Sequence, residues 1–205
     1  MWIAAKKLLL FAGVFGIIAS VYFGIAEYTL GRSAKTLFLL PIDAQIPFIP
    51  EAIFAYMSFH LFCFLPVFIS SVSISKSIET IFAACIAFTI MFGFYLIVPS
   101  AYPRPEIQSC DSWSHALLAY YYVADPPNNT FPSSHVAITA ILILQISPYL
   151  RRFYWFFVFW GASIIVSTLL VKQHYVVDVL SGITLAPISI WMARQVLAPK
   201  HQNTT

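Results

Sequence analysis

Three short stretches hold the residues of this sequence that could do chemistry. In "KQHYVVD" (172–178), His174 and Asp178 stand four apart, a spacing that puts two side chains on one face of a helix. A carboxylate that accepts from one imidazole nitrogen fixes the ring in one tautomer. The other nitrogen then keeps its lone pair outward, as a nucleophile or a base requires. In "NNTFPSSHVAITA" (128–140), Ser133 or Ser134 suits a helix N-cap, with His135 in the first turn. Such a helix start offers unpaired N–H groups and the positive end of the helix dipole, which suits phosphate. In "VPSAYPRPEI" (98–107), Arg104 lies between two prolines on stiff backbone and carries a planar, permanently charged fork. Each piece alone is ordinary: a His–Asp pair near a helix end is more often structural, and a loop arginine is usually just solvated. Together they give two histidines, one backed by a carboxylate, with Arg104, Lys172 and a hydroxyl-rich helix start. That set suits phosphoryl transfer without a metal, which needs a nucleophile, a proton donor for the leaving alcohol and positive groups on the equatorial oxygens.

The elements that must position these residues follow from the composition. The chain is 60% hydrophobic and 9% charged, with 205 residues and a net charge of +3. A soluble domain carries roughly 25% charge, so lipid is the natural solvent here. No basic run points to nucleic acid. Six apolar runs are long enough to be read as spanning helices, at about 8–28, 51–73, 79–99, 134–150, 153–172 and 175–195. The expected fold is therefore an all-α, six-transmembrane helix bundle in one domain, 1–205, with its catalytic core at about 80–190. The polar segments 29–50 and 100–133 are outer loops, and "WSHALLAYYYV" (113–123) reads as an amphipathic helix along the interface. The first run is uncharged from Leu8 to Ala26 and reads as a retained helix. Alternating the connections puts Lys6, Lys7, Lys76, Arg151, Arg152, Arg194 and Lys200 on one side, against Arg32, Lys35, Arg104 and Lys172 on the other. The positive-inside rule makes the first side cytoplasmic, with both termini, and puts the candidate site on the outer face. Cys63, Cys85 and Cys110 are scattered and odd in number, which argues against a disulfide framework and a zinc site. His60, inside an apolar run, reads as structural.

"PSSH" and "STLLVKQHYVVD" resemble the second and third motifs of the type 2 phosphatidic acid phosphatase superfamily, PSGH and SRxxxxxHxxxD. A first motif there, KxxxxxxRP, comes earlier in the chain. Motif order, motif spacing and the six runs agree over about residues 80–190. The resemblance implies a membrane lipid phosphatase that needs no cofactor. It implies that His174 attacks phosphorus and becomes a phosphohistidine, that Asp178 orients it, and that His135 protonates the leaving alcohol. Ser133, the backbone at Ser134 and Arg104 would hold the phosphate. Three positions depart from the pattern: the first-motif lysine falls at Ile97, the third-motif arginine at Thr168 and the PSGH glycine at Ser134. Lys172, four residues after Thr168, would replace the missing arginine if the helix continued. "KQHYVVD" with "FPSSH" also resembles the branch holding inositol phosphorylceramide and sphingomyelin synthases, which pass a phospho-headgroup to another alcohol.

The expected partners are a lipid phosphate and the bilayer, at a bacterial inner membrane with a periplasmic site. A phosphotransferase with an alcohol acceptor is the alternative, and a transporter with a polar cluster is a third reading from another class. Neither the lipid nor the oligomeric state is legible in the sequence.

Overall fold

In lipid every backbone polar group must be satisfied within its own segment or by protein, so a chain this apolar forms helices. The computed structural model describes residues 2–33, 38–69, 71–107 and 111–198, without the side chains of 2–4 and 67. Lys35, Cys110 and Lys200 lie outside the described residues. Among the described residues there are seven α-helices: α1 (Trp2–Thr29), α2 (Ile53–Phe68), α3 (Ile74–Ile97), α4 (Trp113–Ala124), α5 (Ser134–Ile146), α6 (Tyr154–Leu170) and α7 (Val176–Leu197). No strand forms among those residues, and one isolated bridge joins Ala101 to Asn128.

The centre of the bundle is α5. Its sequence is apolar around the whole circumference, and it is buried along nearly its full length, as such a helix must be. Helices α2, α3, α6 and α7 surround it, and α1 closes the outside against α2 and α3. The core runs through Phe62, Ala87, Met91, Ala137, Ile141 and Ala186. The outer surface is oil: Leu9, Ile17, Leu61, Phe159 and Trp191 are all exposed. Among the described residues, four segments are long and apolar enough to cross a membrane: Ala5–Thr29, Ile74–Ile97, Ser134–Leu170 and Val176–Leu197.

Helices α1 and α3 begin earlier than the runs at 8 and 79, at Trp2 and Ile74, and two helices end sooner than expected. The second run continues in hydropathy to residue 73, but α2 ends at Phe68, two residues past the internal Pro66. Within Ser134–Leu170, α5 stops at Ile146, and a 3-10 segment, Ser147–Phe153, turns the chain at Arg151 (φ 45°). Gly161 of α6 then lies against Ile143 of α5, so these two helices run antiparallel. The interfacial reading of 113–123 corresponds to α4, which rests on the start of α2 through Leu118, Ile53 and Tyr56.

The basic residues mark one end of the bundle. Lys7 donates to the carbonyl oxygens of Ile69 and Val72 at the turn between α2 and α3. Glu79 pairs with Lys76 at 3.1 Å and with Arg194 at 2.9 Å, and Lys76 also donates to Gln145. The start of α1 and the end of α7 therefore share this end. The three chemistry-bearing stretches meet at the opposite end.

Candidate active site

His174 does not lie on a helix. Helix α6 ends at Leu170, Lys172 takes a left-handed φ of 53°, and α7 begins only at Val176. The N–H groups of Gln173 and His174 both donate to the Thr168 carbonyl, which tightens this turn. The expected pairing with Asp178 still forms, by a different route. Asp178 sits in the first turn of α7, and its Oδ2 accepts from the Tyr175 N–H at 2.9 Å, as an N-terminal acid does. That oxygen faces His174 Nδ1 at 3.3 Å. The same nitrogen lies 3.0 Å from the Thr130 carbonyl oxygen. A carbonyl only accepts, so Nδ1 carries the proton and Nε2 keeps its lone pair.

His135 is held by a different set of contacts. Ser133 caps α5 by accepting from the Val136 N–H at 3.4 Å, and its own N–H donates to the Asp178 carbonyl at 3.2 Å. This cross-link ties the second and third stretches together. Gly182 permits it, because a Cβ there would stand 2.8 Å from the Ser133 carbonyl oxygen. The His135 ring stacks on Tyr56 at 4.6 Å and leans on Phe59 at 4.5 Å. Its Nδ1 lies 3.4 Å from the Tyr56 hydroxyl. The direction of that bond follows from the residues behind it. Gln173 Nε2 donates to Asp125 Oδ2 at 3.2 Å and to the Tyr56 hydroxyl oxygen at 3.3 Å. Beside a carboxylate the amide presents its nitrogen, so the Tyr56 oxygen accepts from Gln173, and the hydroxyl's own proton has two acceptors within reach, His135 Nδ1 and the Tyr121 hydroxyl. Donation from Tyr56 to Nδ1 leaves the proton on His135 Nε2, the form a general acid needs. The two imidazole rings stand 6.2 Å apart at their centroids.

The remaining expected residues are placed as follows. Ser134 lines a cavity beside His135, and the Tyr95 hydroxyl donates to the Pro132 carbonyl just before this helix start at 2.8 Å. The N–H groups of Ser134 and His135 belong to the first turn, which has no intrahelical acceptor for them. Arg104 donates to the carbonyls of Tyr122 at 2.8 Å and Pro126 at 3.1 Å, with its plane over the Tyr122 ring. Its fork brackets the loop after α4 in this conformation. Lys172 is not brought to Thr168, since the helix that would align them has ended. Its ammonium donates to the carbonyls of Asp43 at 3.2 Å and Ile46 at 2.5 Å in the segment before α2. Ile97 is 81% exposed on the outer surface, and the buried Thr168 hydroxyl donates to the Ile165 carbonyl at 2.7 Å, so neither side chain supplies a polar group to the histidine rings.

Four residues of this site escaped the sequence reading: Tyr22, Tyr56, Asp125 and Gln173. Asp125 is 9% exposed, accepts from the Tyr22 hydroxyl at 3.1 Å as well as from Gln173, and is pushed above the usual carboxylate range by burial. A signal existed for Gln173, the neighbour of His174, and for Asp125, a lone acid between an amphipathic helix and a Pro-Pro pair. Tyr22 and Tyr56 carry none, because they come from distant apolar runs. A cavity of about 330 Å³ runs from Asp125, Ser134 and His135 down between α1, α2, α3 and α5, lined by such residues as Phe15, Phe23, Phe88 and Ile138. His60, read as structural, also lines it.

The family model described as the PAP2 superfamily matches residues 99–201, half of the chain, and spans both histidines and Asp178. The chain belongs to the PAP2 superfamily. No curated protein and no solved structure matches it. PAP2 proteins are in general phosphatases and phosphotransferases, and the two histidines suit either. The matched region of this PAP2 chain excludes α1 and α2, which supply Tyr22, Tyr56 and much of the cavity wall.

Proposed function

We propose that this protein is an integral-membrane lipid phosphatase working through a phosphohistidine. His174 Nε2 attacks phosphorus while the bond from phosphorus to the lipid alcohol breaks. His135 Nε2–H gives its proton to the departing oxygen. In the second step His135 takes a proton from water, the water oxygen bonds to phosphorus, the P–N bond breaks and inorganic phosphate leaves. Asp178 and the Thr130 carbonyl hold His174 in its tautomer, and the imidazolium character that develops is stabilised by the carboxylate. The Ser134 and His135 N–H groups serve the phosphoryl oxygens. Ser133 keeps the helix start in place, and Arg104 and Lys172 act from a distance through the loops they bracket.

The single observation that carries this reading is the pair of imidazole rings 6.2 Å apart, one with Nδ1 held by the Thr130 carbonyl and Asp178 so that Nε2 keeps its lone pair. The apolar cavity supports a lipid as the leaving group, because it opens from His135, the ring assigned to protonate that group. We place the bundle as six spans with the site at the periplasmic face of a bacterial inner membrane and both termini in the cytoplasm. The cluster of Lys7, Lys76 and Arg194 at the opposite end supports that orientation.

One observation favours the second reading, headgroup transfer to an alcohol. Two cations of the family's phosphate cradle are replaced by Ile97 and Thr168, and Lys172 and Arg104 are engaged with carbonyls. A phosphodiester carries one negative charge and asks less of such a site than a dianionic monoester. Purified protein in detergent without divalent metal, offered lipid phosphates with and without alcohol acceptors beside His174→Ala, separates the two. Phosphate release that disappears in the variant supports the phosphatase, and headgroup transfer without phosphate release supports the alternative. Full activity in His174→Ala would end both.

A further inference from the structure

Asp125 reaches the two histidines only indirectly, through Gln173 and Tyr56, and its surroundings are unusual. The carboxylate is nine-tenths buried, and its two oxygens each have one neutral donor, Tyr22 Oη and Gln173 Nε2. Among the described residues no cation stands within ion-pair distance of it. Arg104 is the nearest in influence, but its fork is turned to two carbonyls. A buried carboxylate without a paired cation is expensive, because desolvation falls on the charged form without compensation. Such a group persists where something that is not always present completes it.

The cavity says what would complete it. Asp125 is the only carboxylate in the described lining, which holds no lysine or arginine. Tyr22 donates to it, and Tyr121, Phe59, Phe15 and Phe23 line the same cavity. A carboxylate among aromatic faces is a cation site, since the ring quadrupoles add to the ionic attraction. The same cavity holds His135, whose ring faces His174. A cation at Asp125 and a phosphoryl group between the histidines therefore fit one molecule. That molecule also brings its own positive charge to a site where the expected cradle cations are missing.

We infer that Asp125 and the aromatic wall beside it form a subsite for an ammonium group carried by the substrate next to its phosphate. The inference rests on the reading of His135 and His174 as the phosphoryl-transfer pair. The ammonium has two possible sources. It belongs to the departing lipid, as in a long-chain 2-aminoalkyl phosphate, or to a retained headgroup, as in a phosphoethanolamine diester.

The test uses the full chain in maltoside with matched pairs of substrates. The first pair is a single-chain 2-aminoalkyl phosphate against the same chain with a 2-hydroxyl. The second is a diacylglycerol phosphoethanolamine against the corresponding methyl phosphodiester. The expected result is a preference in kcat/KM of about tenfold or more for the amine member of one pair. The pair that shows it identifies the source. In Asp125→Asn that ratio falls toward one. Equal turnover of both members in the wild type, or a preference that survives Asp125→Asn, overturns the subsite. Binding without chemistry separates this from the function itself: a long-chain alkylamine should raise the thermal midpoint of the wild type, and an alcohol of equal length should not. That difference in a protein that turns over no phosphate would sustain the subsite and reject the phosphoryl-transfer reading. Its absence would reject the subsite whatever the activity, and it is read on the wild type even where the variant does not fold.

Discussion

Tyr56→Phe removes one oxygen and leaves the ring that stacks on His135 at 4.6 Å. In the proposed mechanism the lost hydroxyl is the one that gives its proton to His135 Nδ1 and so keeps the acidic proton on Nε2. A net hydrogen bond of this kind is worth about 0.5–1.5 kcal/mol, which corresponds to about 2- to 13-fold in rate. Stability also falls, because Gln173 Nε2 loses an acceptor, and so a lower thermal midpoint does not discriminate. The leaving group does. An alkyl alcohol needs its oxygen protonated as it departs, whereas a nitrophenol leaves as an anion and gains little from an acid. The expected outcome is a loss within that range in kcat/KM for a long-chain alkyl phosphate and a loss below twofold for nitrophenyl phosphate. Equal losses on the two substrates would refute the tautomer assignment, as would no loss on the alkyl phosphate.

Other perturbations have directions set by the same geometry. Gly182→Ala pushes a methyl against the Ser133 carbonyl at 2.8 Å and the Ala137 nitrogen at 3.1 Å, both backbone, and should cost about 1–3 kcal/mol in denaturant unfolding together with activity. Gly161→Ala meets the swinging end of the Ile143 side chain and should be the milder of the two on both counts. Lys172→Met should lower the thermal midpoint, by freeing the segment around Asp43 and Ile46, more than it raises KM; a raised KM at an unchanged midpoint would return Lys172 to the phosphate. Burial raises the Asp125 carboxyl above 3.8, so its protonated form favours the fold, and its contribution is present at low pH and lost as pH rises through the raised value. Thermal midpoints of Asp125→Asn and wild type, compared from about pH 4 to 8, should therefore shift in favour of the variant as pH rises.

Much of the architecture was legible because lipid-facing helices announce themselves as apolar runs. Helices α1, α3 and α7 follow such runs, and α4 follows its amphipathic stretch. The end of α2 was not legible, since its apolar run continues to residue 73 while the helix stops near Pro66, and α5 ends at Ile146 rather than 150, where Ser147 and Pro148 open the 3-10 segment. The turn at Lys172 was hidden for a different reason: Lys172, Gln173 and His174 are all acceptable in a helix, and the break appears only in the left-handed φ. His174 and Asp178 meet all the same, because an acid in the first turn of α7 reaches back across the helix start. His135, His174, Ser133 and Asp178, singled out by type and spacing, are brought together. Asp125, Gln173, Tyr22 and Tyr56 depend on the packing of α1, α2 and the loop after α4, and no short-range pattern encodes that.

The central claim is that His174 carries the phosphoryl group. The most direct measurement mixes the enzyme with lipid phosphate labelled in the phosphorus, quenches in base within a turnover, and maps the label by peptide. The account predicts label on the peptide holding His174, none on the peptide holding His135, and none anywhere in His174→Ala. Label on His135, or full turnover in His174→Ala, would contradict it.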